Sequence, residues 1–208
     1  MTIKVKICGI TREEDALYAL ESGADCFGMI FYKKSPRYVP VERAKEIMDF
    51  LKAKGISAPP AIGVFVNEQI HLVREYMNTL GLFAVQLHGE ESPEYCADLH
   101  CRIIKAFRVR DAGELRAITN YRVWAFLFDA FHPVLAGGTG KRIDASLLSP
   151  YIQEHRIFLA GGLSPENISS VLETISPFGV DVSTGVESLP GIKDPDKVRR
   201  FIAAVKGI

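Results

Sequence analysis

Two side chains that can exchange protons stand at the ends of short apolar runs, Cys8 after KVKI and Asp129 after AFLF. Side chains alternate along a strand, so Val5 and Ile7 share one face of the first run and Cys8 takes the other. The same alternation places Asp129 opposite the two phenylalanines of its own run. A thiolate and a carboxylic acid on two sides of a substrate can act as general base and general acid. The pair therefore predicts a reaction driven by proton transfer.

Two glycine-containing loops follow the last two apolar runs. One contains Gly161 and Gly162, and the other contains Ser183, Thr184 and Gly185. Glycine lets backbone N–H groups approach an anion closely, and short hydroxyl side chains add further donors. A glycine pair alone is commonly a turn, but two such loops in consecutive units predict a phosphate-binding site.

Polar side chains at other strand ends are candidates for binding the substrate. Gln86 and His88 close the fourth apolar run, and Asp181 shares the inner face of the eighth with Ser183. We expect these residues to orient the substrate, although packing roles fit Gln86 and His88 equally well. Lys6 and Asp181 face inward from the first and last runs, which become neighbours if the sheet closes. We therefore predict a buried Lys6–Asp181 ion pair; the alternative is that Lys6 reaches solvent alone.

Eight apolar runs alternate with eight segments of helical spacing, which predicts a parallel sheet with crossover helices. The number eight favours an α/β fold of the (β/α)₈ TIM-barrel type, a single domain over residues 1–208, and an open doubly wound sheet is the alternative. Active sites of such barrels lie at the carboxyl ends of the strands, which would bring Cys8 and Asp129 to one mouth. The predicted strands are 3–9, 25–32, 60–66, 83–88, 102–109, 124–130, 156–162 and 179–185, and the predicted helices are 12–22, 41–54, 67–80, 92–100, 111–120, 144–153, 165–175 and 194–205.

Local signals predict where three helices begin and where one loop is free to close. Ser92, Ser164 and Asp194 each precede a proline and an acidic residue, the pattern of an N-cap followed by proline in the first turn. The glycines of segment 137–140 predict a loop that closes over the substrate, with an ordinary linker as the alternative.

Composition restricts the classes of partner. The chain has 208 residues, 48% of them apolar, with 25 basic and 25 acidic side chains and no basic tract, which argues against nucleic-acid binding. No apolar run is long enough for a membrane span, and the start of the chain lacks a signal-peptide pattern, so we expect a cytoplasmic protein. The four cysteines and five histidines show no metal-ligand spacing, so no metal site is predicted. The sequence leaves open whether the chain is a monomer or a homodimer.

Six segments in order along the whole chain resemble the phosphoribosylanthranilate isomerase family. They are VKICGIT (5–11), FYKKSPRYV (31–39), VQLHGEE (85–91), LFDA (127–130) followed by GGTGK (137–141), LAGGLSPENI (159–168) and DVSTGVE (181–187). One departure is Thr184, where the family more often has serine. Threonine keeps the hydroxyl group, so this change leaves the expected phosphate contact intact.

The resemblance implies an Amadori rearrangement of a phosphorylated aminoaldose without cofactor or metal. It implies that Cys8 is the general base, that Asp129 is the general acid, and that Arg37, in the loop after the second strand, binds the anthranilate carboxylate. Arginine suits a bidentate contact with a carboxylate better than lysine does. Cys8 must be a thiolate when it acts, and the inward-facing Lys6 could raise its ionised fraction.

Three other functions fit part of the pattern. The aminoaldose isomerase of histidine biosynthesis performs the same rearrangement, but that family has an aspartate where Cys8 stands. An aldolase barrel would need a Schiff-base lysine at a strand end, for which Lys105 is the candidate. A phosphate-binding barrel without activity is the third, and the joint presence of Cys8, Asp129 and Arg37 argues against it.

Overall fold

The computed structural model describes residues 2–108, 115–129 and 145–207. Eight parallel strands close into a barrel in sequence order, with β1 hydrogen-bonded to β8. Closure confirms the predicted (β/α)₈ barrel and removes the open-sheet alternative. The strands are β1 Lys4–Cys8, β2 Cys26–Ile30, β3 Ala61–Phe65, β4 Ala84–Leu87, β5 Ile103–Arg108, β6 Ala125–Asp129, β7 Ile157–Ala160 and β8 Gly179–Val182.

The described helices follow the strands as predicted. They are α1 Glu13–Glu21, α2 Val41–Ala53, α3 Ile70–Leu80, α4 Pro93–Asp98, α5 Ala145–Glu154, α6 Ile168–Thr174 and α7 Pro195–Lys206. Of the predicted helix 111–120, the structure describes the last residues, which include a 3₁₀ turn at Ala117–Asn120. The predicted closing loop at 137–140 lies outside the described residues. Within the described ranges, no helix has the length and apolar character needed to cross a membrane.

Strand alternation builds two separate apolar layers. Val5, Ile7, Phe126 and Phe128 point outward into the layer beneath the helices. Residues of the opposite phase fill the barrel interior, among them Ile104 and Leu127. Because both faces are buried, β-branched and aromatic side chains dominate the strands, as expected of a parallel sheet. This alternation also fixes which polar side chains face the barrel axis.

Helix α7 shows how local sequence fixes the ends of an element. Asp194 accepts hydrogen bonds from the backbone N–H groups of Asp196 and Lys197, and Pro195 occupies the first turn. Such a cap is worth about 1 kcal/mol. Gly207 ends the helix with φ of 69°, a left-handed conformation that glycine adopts without steric cost. The buried face of α7 consists of Val198, Phe201, Ile202 and Val205.

The predicted helix start at Ser164 is wrong. Residues 165–167 form a turn, and α6 begins only at Ile168. The side chain of Asn167 explains the difference, because its Oδ1 accepts from Ser164 N at 2.9 Å and its Nδ2 donates to Gly162 O at 2.8 Å. Asn167 thereby ties the turn back onto the loop after β7. Ser92 does cap α4, and Asp194 caps α7, as predicted.

Candidate active site

A cavity of about 510 Å³ opens at the carboxyl ends of the strands. All eleven site residues predicted from the sequence line it: Cys8, Arg37, Gln86, His88, Asp129, Gly161, Gly162, Asp181, Ser183, Thr184 and Gly185. Cys8 and Asp129 reach it from β1 and β6, which have β7 and β8 between them. The barrel thus brings together residues that are far apart in the sequence, as the strand-end rule predicted.

The thiol of Cys8 lies beside a fully buried lysine. Lys6 Nζ donates to Asp181 Oδ1 at 2.8 Å, and the Cα atoms of the two residues are paired between β1 and β8. The predicted ion pair is confirmed, and the alternative of a solvent-exposed Lys6 is wrong, since its side chain is 0% exposed. Gly28 makes room for the thiol and the ammonium, because a Cβ there would lie 2.9 Å from Cys8 Sγ and 3.1 Å from Lys6 Nζ. A larger residue at position 28 would push the two groups apart.

Opposing effects act on the ionisation of Cys8 and Lys6. Burial raises the pKa of the Cys8 thiol, while the Lys6 charge works in the opposite direction. Burial also disfavours the charged form of Lys6, but the charges of Asp181 and Cys8 and the hydrogen bond to Asp181 together outweigh it, and the pKa of Lys6 is raised. Lys6 therefore stays protonated and favours the thiolate of Cys8.

Asp129 faces the cavity beside His88 and Gln86. Its Oδ2 lies 3.9 Å from His88 Nε2, beyond hydrogen-bond length, and its side chain is 39% exposed. Gln86 Nε2 lies 2.9 Å from His88 Nδ1, and donation by this amide leaves a neutral imidazole with its proton on Nε2. Burial lowers the pKa of His88, so the ring is neutral at pH 7. Asp129 and His88 both line the cavity, where a ligand can contact them.

The loops after β7 and β8 approach each other closely. Gly161 and Gly162 have φ of 97° and 62°, in the left-handed region where other residues are strained. A Cβ on Gly185 would lie 1.9 Å from Leu163 O, so this residue must be glycine for the loops to pack. The hydroxyl of Ser183 is buried without a hydrogen-bond partner among the described residues, as is Gln86 Oε1. Buried polar atoms are seldom left unpaired, and both belong to residues that line the cavity, where a ligand can satisfy them.

Arg37 is held by residues that sequence reasoning missed. A short antiparallel hairpin, β9 Glu187–Leu189 and β10 Ile192–Lys193, follows the loop after β8. Both carboxylate oxygens of Glu187 accept from Arg37, and one of them also accepts from Lys193. The turn dipeptide Pro190-Gly191 could have revealed the hairpin. No pattern in the sequence indicates that the hairpin contacts the loop after β2.

That loop is fixed at both of its ends. Val39 N donates to Ile30 O at 2.9 Å, so the chain returns to the end of β2 immediately after Arg37. Arg37 N donates to Ser35 Oγ at 3.1 Å within the loop. Gly9, with φ of 79°, also makes room, because a Cβ there would lie 2.6 Å from Arg37 Cδ. The side chain of Arg37 is therefore placed before any ligand arrives.

Lys105, the lysine that an aldolase would require, is committed to other contacts. It is 2% exposed, and its Nζ donates to Glu91 Oε2 at 3.0 Å and to the carbonyl of Gly89 at 2.8 Å. It lines a neighbouring depression rather than the cavity that contains Cys8. A charged, hydrogen-bonded ammonium is a poor nucleophile, so the geometry does not favour the aldolase alternative.

The cysteines of the chain are all free thiols. Cys8, Cys26 and Cys96 are buried, and Cys101 is partly exposed. Among the residues that the structure describes, no group of three or more His, Cys, Asp and Glu side chains is arranged to hold a metal ion.

The chain is similar to isomerases of one family. The family described as N-(5'-phosphoribosyl)anthranilate (PRA) isomerase matches residues 5–204. The N-(5'-phosphoribosyl)anthranilate isomerase of Citrifermentans bemidjiense is 49% identical over 208 residues, which cover 99% of this chain and 98% of the relative. A crystal structure of monomers of the dimeric phosphoribosylanthranilate isomerase from Thermotoga maritima matches at a TM-score of 0.86 and 39% identity, over 100% of both chains. Another crystal structure is of phosphoribosylanthranilate isomerase in complex with reduced 1-(O-carboxyphenylamino)-1-deoxyribulose 5-phosphate. It matches at a TM-score of 0.85 and 41% identity, also over 100% of both chains.

Proposed function

This chain belongs to the N-(5'-phosphoribosyl)anthranilate isomerase family, and we propose that Cys8 and Asp129 carry out its reaction as general base and general acid. The enzyme isomerises N-(5'-phosphoribosyl)anthranilate to 1-(2-carboxyphenylamino)-1-deoxyribulose 5-phosphate, an Amadori rearrangement of tryptophan biosynthesis. One observation carries the assignment of roles: a thiol and a carboxyl from non-adjacent strands line one cavity. Acid–base catalysis needs such an arrangement, because the two protons move on different sides of the sugar.

The proposed steps are proton transfers. Asp129, as the general acid, gives a proton to the ring oxygen of the ribose, and the bond between this oxygen and C1′ breaks to leave a Schiff base. The thiolate of Cys8 then removes the proton from C2′, which gives an enolamine. Tautomerisation of the enolamine yields the ketone. The scheme uses only these two side chains and the substrate, so it needs neither a cofactor nor a metal ion.

Lys6 is proposed to keep Cys8 reactive, which predicts a displaced pH profile in Lys6→Met. The thiolate is the active form, so kcat/KM rises as the pH rises through the pKa of Cys8. Loss of the Lys6 charge raises that pKa further, because this charge is the main effect that opposes burial. The rise in kcat/KM therefore moves to higher pH, and a profile that moves by one pH unit lowers the rate at pH 7 by about tenfold. Stopped-flow or steady-state rates between pH 6 and 10 measure the displacement.

Lys4→Met is the matched control for this profile. Lys4 lies on the same strand and has the same phase, but it pairs with Asp25 and its side chain is 44% exposed. We expect its pH profile to overlay that of the wild type. A profile in Lys6→Met that also overlays the wild type would remove the proposed role of Lys6.

The remaining cavity residues are proposed to bind the two ends and the hydroxyls of the substrate. Arg37 receives the anthranilate carboxylate at its Nη1, because a charge-assisted hydrogen bond from a guanidinium to a carboxylate is strong. Gln86, with its unpaired buried oxygen, and the neutral His88 contact the hydroxyls of the opened sugar. Asp181 also faces these hydroxyls, while its Oδ1 is held by Lys6.

The phosphate is proposed to bind at Gly161, Gly162, Ser183, Thr184 and Gly185, which predicts a binding defect in Gly185→Ala. The added methyl group would contact Leu163 O, so the loops after β7 and β8 must separate. We expect KM to rise by roughly tenfold or more with a smaller effect on kcat, because phosphate binding contributes equally before and during the reaction. Gly207→Ala is the control, since it strains a left-handed glycine in open space far from the cavity. If KM were unchanged in Gly185→Ala, the phosphate would bind elsewhere.

The cellular compartment and the oligomeric state of the chain are also proposals. We place the enzyme in the cytoplasm, because its mechanism needs a reduced thiol at Cys8. The relative from Thermotoga maritima is described as dimeric, and either a monomer or a homodimer fits this chain. No nucleic acid enters the proposed function. Sedimentation at several concentrations distinguishes the two states of assembly.

An assay on the purified chain tests the reaction itself. The fluorescence of N-(5'-phosphoribosyl)anthranilate should disappear with turnover, and the ketone product should appear in equal amount. The aminoaldose of histidine biosynthesis, supplied separately, tests the rival isomerase activity. Turnover of the histidine substrate alone would overturn the proposal, and turnover of neither would favour the inactive phosphate-binding barrel.

A further inference from the structure

Arg37 is oriented by a buried carboxylate. Its Nε lies 2.8 Å from Glu187 Oε1, and its Nη2 lies 2.6 Å from Glu187 Oε2. Nη2 also lies 3.4 Å from Thr184 Oγ1 in the proposed phosphate loop. The edge of the guanidinium that carries Nε is therefore occupied. Its Nη1 has no hydrogen-bond partner in the described ranges and is left for a ligand.

Lys193 keeps this contact from cancelling the charge of Arg37. Lys193 Nζ lies 2.8 Å from Glu187 Oε1, and the two side chains are 1% and 4% exposed. The two cations and one carboxylate leave one net positive charge beside the cavity. If Arg37 and Glu187 formed an isolated pair, their charges would cancel and an incoming carboxylate would find less attraction. Lys193 thus neutralises the charge of Glu187 and leaves the charge of Arg37 available to a ligand.

The same hairpin connects the two ends of the site. Lys193 Nζ donates to Ser183 O at 3.3 Å, at the start of the loop after β8. Lys193 N donates to Asp15 Oδ2 at 3.1 Å, which anchors the hairpin to α1. Asp15 is in turn paired with Arg12. The hairpin that contacts Arg37 through Glu187 therefore also contacts the proposed phosphate loop through Lys193.

We propose that Glu187 and Lys193 are positioning residues that set the plane and the net charge of Arg37, and thereby the enzyme's preference for substrates with an aromatic carboxylate. The proposal rests on the role proposed above for Arg37. Burial works against the charged forms, yet the hydrogen bonds from Arg37 and Lys193 outweigh it and the pKa of Glu187 is lowered. Glu187 is therefore ionised throughout the pH range in which the thiolate of Cys8 acts. A role confined to holding the hairpin together would not affect the preference between two ligands.

The preference is measured with two stable ligands. One is reduced 1-(2-carboxyphenylamino)-1-deoxyribulose 5-phosphate, and the other is the same molecule without the carboxyl group. Calorimetric titration gives the Kd of each ligand. The Kd of the ligand without the carboxyl group divided by the Kd of the ligand with it isolates the contribution of the carboxylate. For the wild type we expect a ratio of about 100, because a charge-assisted hydrogen bond is among the strong ones.

Five variants complete the experiment. In Lys193→Met the ratio should fall to about 10, since the net positive charge of the cluster is lost. In Glu187→Gln it should also fall to about 10, since the amide oxygen holds only one N–H of Arg37 and the lost orientation of the guanidinium outweighs the gain in net positive charge. In Arg37→Ala the ratio should be near 1, and the further change Glu187→Gln should then have no effect on it. Glu46→Gln, which alters an exposed ion pair with Arg43, should keep the wild-type ratio.

Each outcome decides between explanations. If Arg37→Ala loses the preference while Glu187→Gln and Lys193→Met retain it, the two residues only stabilise the hairpin and the inference is wrong. If Arg37→Ala retains the preference, the proposed role of Arg37 fails and the inference fails with it. If Glu187→Gln does not fold, Lys193→Met and its conservative partner Lys193→Arg carry the test, and Lys193→Arg should keep most of the ratio.

Discussion

Asp129→Asn is expected to lower kcat by about 10³-fold, within the range that a general acid contributes. Asparagine has nearly the same size and can still accept a hydrogen bond, but it has no proton of suitable acidity to give to the ring oxygen. The furanose would then stay closed, so the Schiff base would not form. Binding of the reduced product analogue should change little, because the cavity keeps its shape. Fluorescence kinetics and calorimetric titration measure the two quantities separately.

Asp49→Asn is the control for Asp129→Asn. Asp49 is an exposed carboxylate on α2 that pairs with Lys52, and its replacement should leave kcat unchanged. A kcat within about threefold of the wild type in Asp129→Asn would show that another group opens the ring, since loss of a general acid costs at least about 10²-fold. His88, whose Nε2 lies 3.9 Å from Asp129, would then be the next residue to replace.

Cys8→Ala is expected to lower kcat by about 10³-fold for a different reason, the loss of the base at C2′. Because ring opening by Asp129 is untouched, the Schiff base can form and revert without yielding the ketone. The expected signature is interconversion of the two anomers at C1′ without deuterium incorporation at C2′, measured by NMR in deuterated water. Cys8→Ser should be almost as inactive, since a hydroxyl ionises far less readily than a thiol.

Cys26→Ala provides a matched control for Cys8→Ala. Cys26 is buried on the neighbouring strand β2, and burial raises its pKa to about 12. It does not line the cavity, so its replacement should affect stability more than kcat. Equal losses of kcat in Cys8→Ala and Cys26→Ala would mean that packing, and not proton abstraction, explains the effect of Cys8.

Most of the site could be predicted because strand alternation and barrel closure are local and general rules. A period of two residues places Cys8, Asp129 and Asp181 on inner faces, and closure of β1 on β8 brings Lys6 to Asp181. These inferences need only the phase of the alternation, which the apolar residues of each strand mark. The chemistry at strand ends was therefore accessible from the sequence.

The contacts that position Arg37 could not be predicted from the sequence in the same way. The contact between Arg37 and Glu187 joins two loops 150 positions apart in the sequence, and loop geometry obeys no simple period. The helix start at Ser164 failed for a related reason. The capping pattern was present, but the side chain of Asn167 bonds to Ser164 and Gly162 and delays the helix by one turn. Local propensity was overruled by one competing set of hydrogen bonds.

The pairing of β1 with β8 ties activity to the completion of the chain during synthesis. Lys6 leaves the ribosome before its partner Asp181, which follows 175 positions later. Until then β1 and β7 are open strand edges that can pair with other molecules. A charged Lys6 on the inner face of β1 discourages such early pairing, because burying an unpaired ammonium is costly. The same lysine that is proposed to serve catalysis would thus also protect the nascent chain from aggregation.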